Sequence, residues 1–216
     1  MNTGVTAELG RRERRRVETL NRILAAAMRL FGERGYAETT VEEITEAADV
    51  GKGTFFNYFP TKDAVLMAIF EALRQRFASF EASAAEIANV RESLTRFTHG
   101  TLENVASSPR LIRSVFGHAL TDPVMGERIH GVMLQARRAL TAVFLHGQEM
   151  GQVRADIPAP VFARTYQQFI FGTELLWALT PGEDLHSWVD VMVETFWQGA
   201  ASKSDKPRAG RERKRQ

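Results

Sequence analysis

The sequence predicts an all-α protein with a three-helix helix-turn-helix unit near its N-terminus. Three observations carry this. Apolar residues recur at spacings of three and four through most of the chain. No segment alternates apolar and polar residues over a length useful for a strand. Two short helical segments, near 41–48 and 52–58, follow a longer one and flank a tight turn.

The elements follow in order. From Val17 the stripe Leu20, Leu24, Ala27 and Phe31, widened by Ile23 and Leu30, marks a first helix that Gly35 stops. Thr40 with Glu43 three residues on is a capping box, so a second helix begins at Val41, with Ile44, Ala47 and Ala48 on its apolar side. Val50 and Gly51 make the turn. A third helix runs from Lys52 to Tyr58, and Pro60 ends it because a proline cannot continue the hydrogen-bond ladder. Thr61 caps a fourth, with Val65, Leu66, Ile69, Phe70, Leu73 and Phe77, reaching about Phe80. Further helices are expected near 89–106, 109–120, 124–149, 158–179 and 185–200, with breaks at Ser108-Pro109, Asp122-Pro123, 151–160 and Pro181-Gly182.

The last two helices are apolar over more than one stripe. A surface helix needs only one apolar face. The wide arcs point to a subunit interface through Phe162, Tyr166, Trp177, Trp188, Met192 and Phe196, in preference to a single core in which both helices are central.

The chain has 216 residues, 44% hydrophobic and 25% charged, the balance of a folded protein. It has no cysteine, which excludes disulfides and thiolate metal sites and suits a cytoplasmic location. No secretory leader or membrane-spanning run is recognisable. The net charge of +2 is unevenly spread: residues 1–16 carry +3 through Arg11, Arg12, Arg14, Arg15 and Arg16, residues 203–216 carry +5, and the body between them is acidic. Basic ends suit contact with nucleic-acid phosphates, and equally a solvated tail.

The stretch "VGKGTFFNYFPTKDAV", 50–65, holds four aromatics within five residues. Phe55 and Phe59 are four apart and share a helix face, so they wedge the third helix into its own core. Gly53, Thr54, Asn57 and Tyr58 then point away, and Lys52 adds a charge at the helix start. In a helix-turn-helix this second helix of the pair enters the major groove. Lys62, in the first turn of the next helix, is placed to hold a phosphate.

At "ILAAAMRLFGERGYAETTVEEI" and "GKGTFFNYFPTKDAVL" the sequence resembles the TetR family of bacterial transcriptional regulators. The similar stretch runs from about Ile23 through Leu66, and "GQVRADIP", 151–158, is more weakly similar to that family's connection into its eighth helix. The resemblance implies a homodimer that binds a palindromic operator in double-stranded DNA and releases it when a small, largely apolar effector fills a pocket in the C-terminal domain. It implies an N-terminal helix-turn-helix DNA-binding domain plus a C-terminal helical ligand-binding and dimerisation domain. The divisions are then a basic disordered arm 1–16, the DNA-binding domain 17–64, the regulatory domain 65–202 and a basic disordered tail 203–216. DNA contacts carried over by position are Thr40, Lys52, Gly53, Thr54, Asn57, Tyr58 and Lys62. Tyr58 also fits a core tyrosine, Thr40 a plain cap and Lys62 a solvated lysine. The family commonly has tyrosine where this chain has Phe56, whose ring cannot donate to a phosphate. Effector-lining candidates are Phe97, Thr101, Val115, Phe116, Met133 and Phe169, which suit a plain core as well.

No catalytic motif, phosphate-binding glycine loop or cofactor signature is present, and no two of the five histidines stand three or four residues apart. The expected protein is therefore not an enzyme and needs no cofactor or metal. The rival readings are an effector-independent activator or architectural protein, and an all-α carrier or enzyme with an unused helix-turn-helix.

Overall fold

A computed structural model describes residues 10–105, 108–180 and 182–202. The C-terminal tail and the start of the N-terminal arm lie outside the described residues. Among those residues are nine α-helices and no strand: α1 (Arg11–Arg34), α2 (Val41–Ala47), α3 (Lys52–Tyr58), α4 (Lys62–Ala82), α5 (Val90–Val105), α6 (Pro109–Thr121), α7 (Pro123–Glu149), α8 (Ala159–Leu179) and α9 (Leu185–Ala200). A 3₁₀ turn, Ala84–Glu86, follows α4. No described helix is long and apolar enough to cross a membrane.

Local chemistry sets the helix ends. Gly35 takes φ of 95°, which a side chain would oppose, and its N–H closes α1 on the Phe31 carbonyl at 3.0 Å. The Thr40–Glu43 capping box opens α2. Ser108 caps α6 with Pro109 in its first turn, and Asp184 accepts from the His186 and Ser187 N–H groups to open α9. At the other end of α2, Asp49 stands at φ 50°. Its N–H reaches the Glu46 carbonyl and the Val50 N–H reaches that of Thr45, which is a Schellman closure with Asp in the usual glycine position. The turn between α2 and α3 thus pivots on Asp49, one step before the Val50-Gly51 pair. The arginine run Arg11–Arg16 forms the first turns of α1, ahead of Val17 where the apolar stripe starts.

The chain divides into two compact units. The first holds α1 to α3, α4 as far as Leu73, and Thr101–Val132. Ile23, Ala27 and Phe31 of α1 are buried there with Ile44, Phe55, Phe59, Val65, Leu66, Leu111 and Ile112. Apart from the small Ala27, each such side chain contributes about 1.5–3 kcal/mol by leaving water. Polar ties join α6 to the end of α1. The Ser108 hydroxyl donates to the Gly32 carbonyl, Arg110 to that of Glu33 at 2.8 Å, and the Tyr36 N–H to the Ser114 hydroxyl at 3.3 Å.

The second unit holds Arg74–Gly100, Met133–Trp177 and α9. Its core is aromatic. Phe144, Phe162, Tyr166 and Phe196 meet at centroid distances of 5.0–6.1 Å, mostly edge to face. The buried Tyr166 hydroxyl pairs with Thr98 at 2.9 Å, and burial pushes that phenol up to about 12. One irregular segment ties three helices, α5, α7 and α9, together. Gln152 accepts the Val90 N–H at 2.9 Å and donates to the Ala88 carbonyl at 2.7 Å. Its own carbonyl accepts from Ser202, Val153 bridges Ala201, and the Arg154 N–H reaches the Ala200 carbonyl. Gln148 of α7 fastens the far side through the Arg154 and Ile157 carbonyls.

Candidate nucleic-acid interface

α3 is built as the wedge its sequence implies. Phe55 is fully buried and Phe59 nearly so, with ring centroids 5.9 Å apart. The opposite side is open: Lys52, Gly53, Thr54, Phe56 and Asn57 are exposed and Tyr58 is half-buried. A Cβ placed at Gly53 would meet nothing within 4 Å, so the backbone there can be approached closely. The Lys52 ammonium lies 2.5 Å from a Glu42 carboxylate oxygen on α2 and holds that carboxyl below its ordinary range. Both side chains are well exposed, so a phosphate can compete for the lysine.

Thr40 is occupied locally. Its hydroxyl accepts the Glu43 N–H at 3.2 Å and donates to the Glu43 carboxylate at 3.1 Å, while its own N–H donates to that carboxylate at 2.9 Å. The Thr40 backbone bond is the first cause holding the Glu43 carboxyl below its ordinary range. The residue is nonetheless exposed at the helix end beside α3.

Lys62 differs from a solvated or phosphate-seeking lysine. Its ammonium donates to the carbonyls of Tyr36 at 2.7 Å, Thr39 at 2.8 Å and Ala37 at 3.4 Å, and it lies 4.4 Å from the centre of the Tyr36 ring. Burial pushes its pKa down, and the charges of Glu38 and Glu43 pull it back up. Thr61, by contrast, does cap α4, accepting the Ala64 N–H at 3.1 Å. Sequence reasoning missed the lysine's partners because they are carbonyls of the loop between α1 and α2, and carbonyls carry no sequence signal.

The remaining candidates fall as follows. Thr101, Val115 and Phe116 are half-buried in the first unit. Phe97 and Met133 are half-buried in the second, where Phe97 stacks on Phe80 at 3.9 Å. Phe169 is 44% exposed on the outer side of α8. Of the interface candidates, Phe162, Tyr166, Trp177, Met192 and Phe196 are all buried within the single chain, and Trp188 is half-buried. The apolar side chains that α8 and α9 turn outward in the second unit are Val161, Phe169, Leu175, Leu176 and Val191.

His99 of α5 meets two side chains of α9. Its Nδ1 lies 2.9 Å from that of His186 and its Nε2 is 2.8 Å from the Asp190 carboxylate. Among the described residues, no group of three or more His, Asp or Glu could hold a metal ion.

Residues 23–69 match the family model "Bacterial regulatory proteins, tetR family". The transcriptional regulator EthR of Mycolicibacterium smegmatis is 29% identical over 139 residues, 63% of this chain and 64% of that one. The transcriptional repressor DhaR of Mycobacterium sp. strain GP1 is 33% identical over 140 residues, 62% of this chain and 69% of that one. The chain therefore spans about two thirds of the length of these relatives. Among solved structures, Thermus thermophilus FadR, a TetR-family repressor in complex with lauroyl-CoA, superposes with a TM-score of 0.56 at 29% identity, covering 88% of this chain and all of that one. With the capping box, the buried phenylalanine wedge and the exposed edge of α3 in place, the chain belongs to the tetR family of bacterial regulatory proteins.

Proposed function

We propose that the protein is a DNA-binding transcriptional repressor of the cytoplasm that binds a near-palindromic operator as a homodimer. The observation that carries this reading is α3. It is a short helix anchored by Phe55 and Phe59 that leaves Lys52, Gly53, Thr54 and Asn57 facing outward with open space at Gly53. Side chains of this size and polarity suit base edges and phosphates in a major groove. Tyr58 and the exposed Thr40 flank that edge and join the contact set. Lys62 serves it by holding the loop that carries Thr39 and Thr40.

Dimerisation would use the outward stripe Val161, Phe169, Leu175 and Leu176 of α8 with Val191 of α9. Two copies related by a two-fold axis would meet half-sites about one helical turn apart, or a multiple of that. A largely apolar effector would loosen DNA binding by favouring the conformation that binds DNA less well. Phe97, Met133 and their neighbours supply apolar surface for it. Fatty acyl-CoA thioesters are the first ligands to try, given the lauroyl-CoA held by the Thermus thermophilus relative.

The test is fluorescence anisotropy with duplex DNA from beside the protein's own gene, titrated at several salt concentrations. Tight binding with a steep salt slope, weakened by an acyl-CoA, supports the reading. Equal and weak affinity for that duplex and for random DNA rejects it.

A further inference from the structure

We propose that Phe56 is a sequence-reading side chain whose ring takes the C5-methyl groups of thymines in the major groove. This rests on the DNA-binding reading above and names what one position of the interface recognises.

α3 carries three phenylalanines with two different fates. Phe55 is 0% exposed and Phe59 5%, while Phe56 is 51% exposed. The exposed ring is not loose. It stands edge-on to the buried Phe55 ring, with centroids 5.4 Å apart and planes at 88°. A fully buried side chain therefore supports it from beneath. Lys52 lies one turn earlier on the same side of the helix, and Gly53 three residues earlier. The open space at Gly53 leaves room beside the ring for the rim of a base pair.

The chemistry selects the partner. A phenyl ring offers no donor or acceptor, so it gains nothing from a phosphate or from the polar atoms of guanine, cytosine or adenine. In the major groove the thymine methyl is the apolar feature that distinguishes one base pair from another. A protein partner fits less well, because the ring is flanked by Lys52, Thr54 and Asn57, all exposed, and a single ring is far smaller than an apolar docking patch. Each methyl packed against the ring should be worth roughly threefold to fivefold in affinity.

The experiment uses the full chain. Random duplexes about three helical turns long are selected with the wild-type protein. The strongest is remade with each thymine in turn replaced by uracil, which lacks only the methyl. Uracil at one or two positions per half-site should weaken wild-type binding roughly threefold to fivefold each. Phe56→Ala should erase that difference and Phe56→Leu, which keeps an apolar contact, should retain most of it. The uracil scan on wild type needs no variant, so a misfolded mutant does not blunt the test. A scan with no effect anywhere overturns the proposal, and so does an effect that persists in a Phe56→Ala protein melting like wild type. In both cases the enriched duplex leaves the DNA-binding reading standing. Failure to enrich any duplex overturns the proposal together with that reading.

Discussion

The ammonium of Lys62 donates to the carbonyl of Tyr36 at 2.7 Å and sits 4.4 Å from the centre of the same residue's ring. One residue thus engages the lysine twice, by hydrogen bond and by cation–π contact. Lys62→Ala should lower stability by about 2 kcal/mol, because it strands loop carbonyls that the charge now satisfies. Urea denaturation measures this. Unchanged stability with reduced DNA affinity would assign the ammonium to a phosphate instead.

Asp49 closes α2 in the left-handed region, where a side chain is unfavourable. Asp49→Gly should therefore stabilise the protein by about 0.5–1 kcal/mol, and Asp49→Val should destabilise it by at least as much. The exposed contact of Asp49 with Arg22, 3.6 Å apart, is too weak to reverse the sign. A lower urea midpoint for the glycine variant would refute the assignment of strain.

Burial pushes the Glu174 carboxyl up to about 7. Between its ordinary value of 4.5 and about 7, the folded protein holds a proton that the unfolded chain releases. Stability should accordingly fall as pH rises through that window and level off above it, by on the order of 3 kcal/mol in all. Glu174→Gln should flatten the profile. Thermal melts from pH 4.5 to 8 of both proteins decide it, and parallel profiles would remove Glu174 as the cause.

Charge placed on α8 and α9 should separate two roles. Leu176→Glu and Val191→Glu lie on the outer face and should yield a folded monomer. Phe196→Glu would bury an unpaired charge among Phe144, Phe162 and Tyr166 and should unfold the chain. Sedimentation and circular dichroism distinguish the outcomes. A wild type that sediments as a monomer at micromolar concentration would count against the dimer altogether.

The N-terminal elements were legible because their signals are local. The Thr40–Glu43 box, the Gly35 stop and the four-residue spacing of Phe55 and Phe59 each act within one or two turns, so reading them needed no tertiary information. The wide apolar arcs of α8 and α9 were harder. Their width was real, but Leu185, Val189, Met192, Val193, Phe196, Trp197 and Ala200 are all buried in the protomer, so most of the arc of α9 packs inward. Periodicity counts apolar faces without saying which neighbour covers each. The His99–His186–Asp190 cluster was invisible for a related reason: its members are 87 and 91 residues apart in sequence and meet only through folding.

The segment around Gln152 has a consequence for how the second unit opens. The N–H groups of Val90, Arg154 and Ser202 are each bonded to a partner in a different part of the chain. The Arg154 and Ser202 bonds, with the Val153–Ala201 bridge between them, all rest on the C-terminal end of α9. The amide hydrogens of Arg154 and Ser202 should therefore exchange with solvent deuterium at one common rate, set by the opening of that end, whereas the Val90 amide, held by the Gln152 side chain at the start of α5, exchanges at a rate of its own.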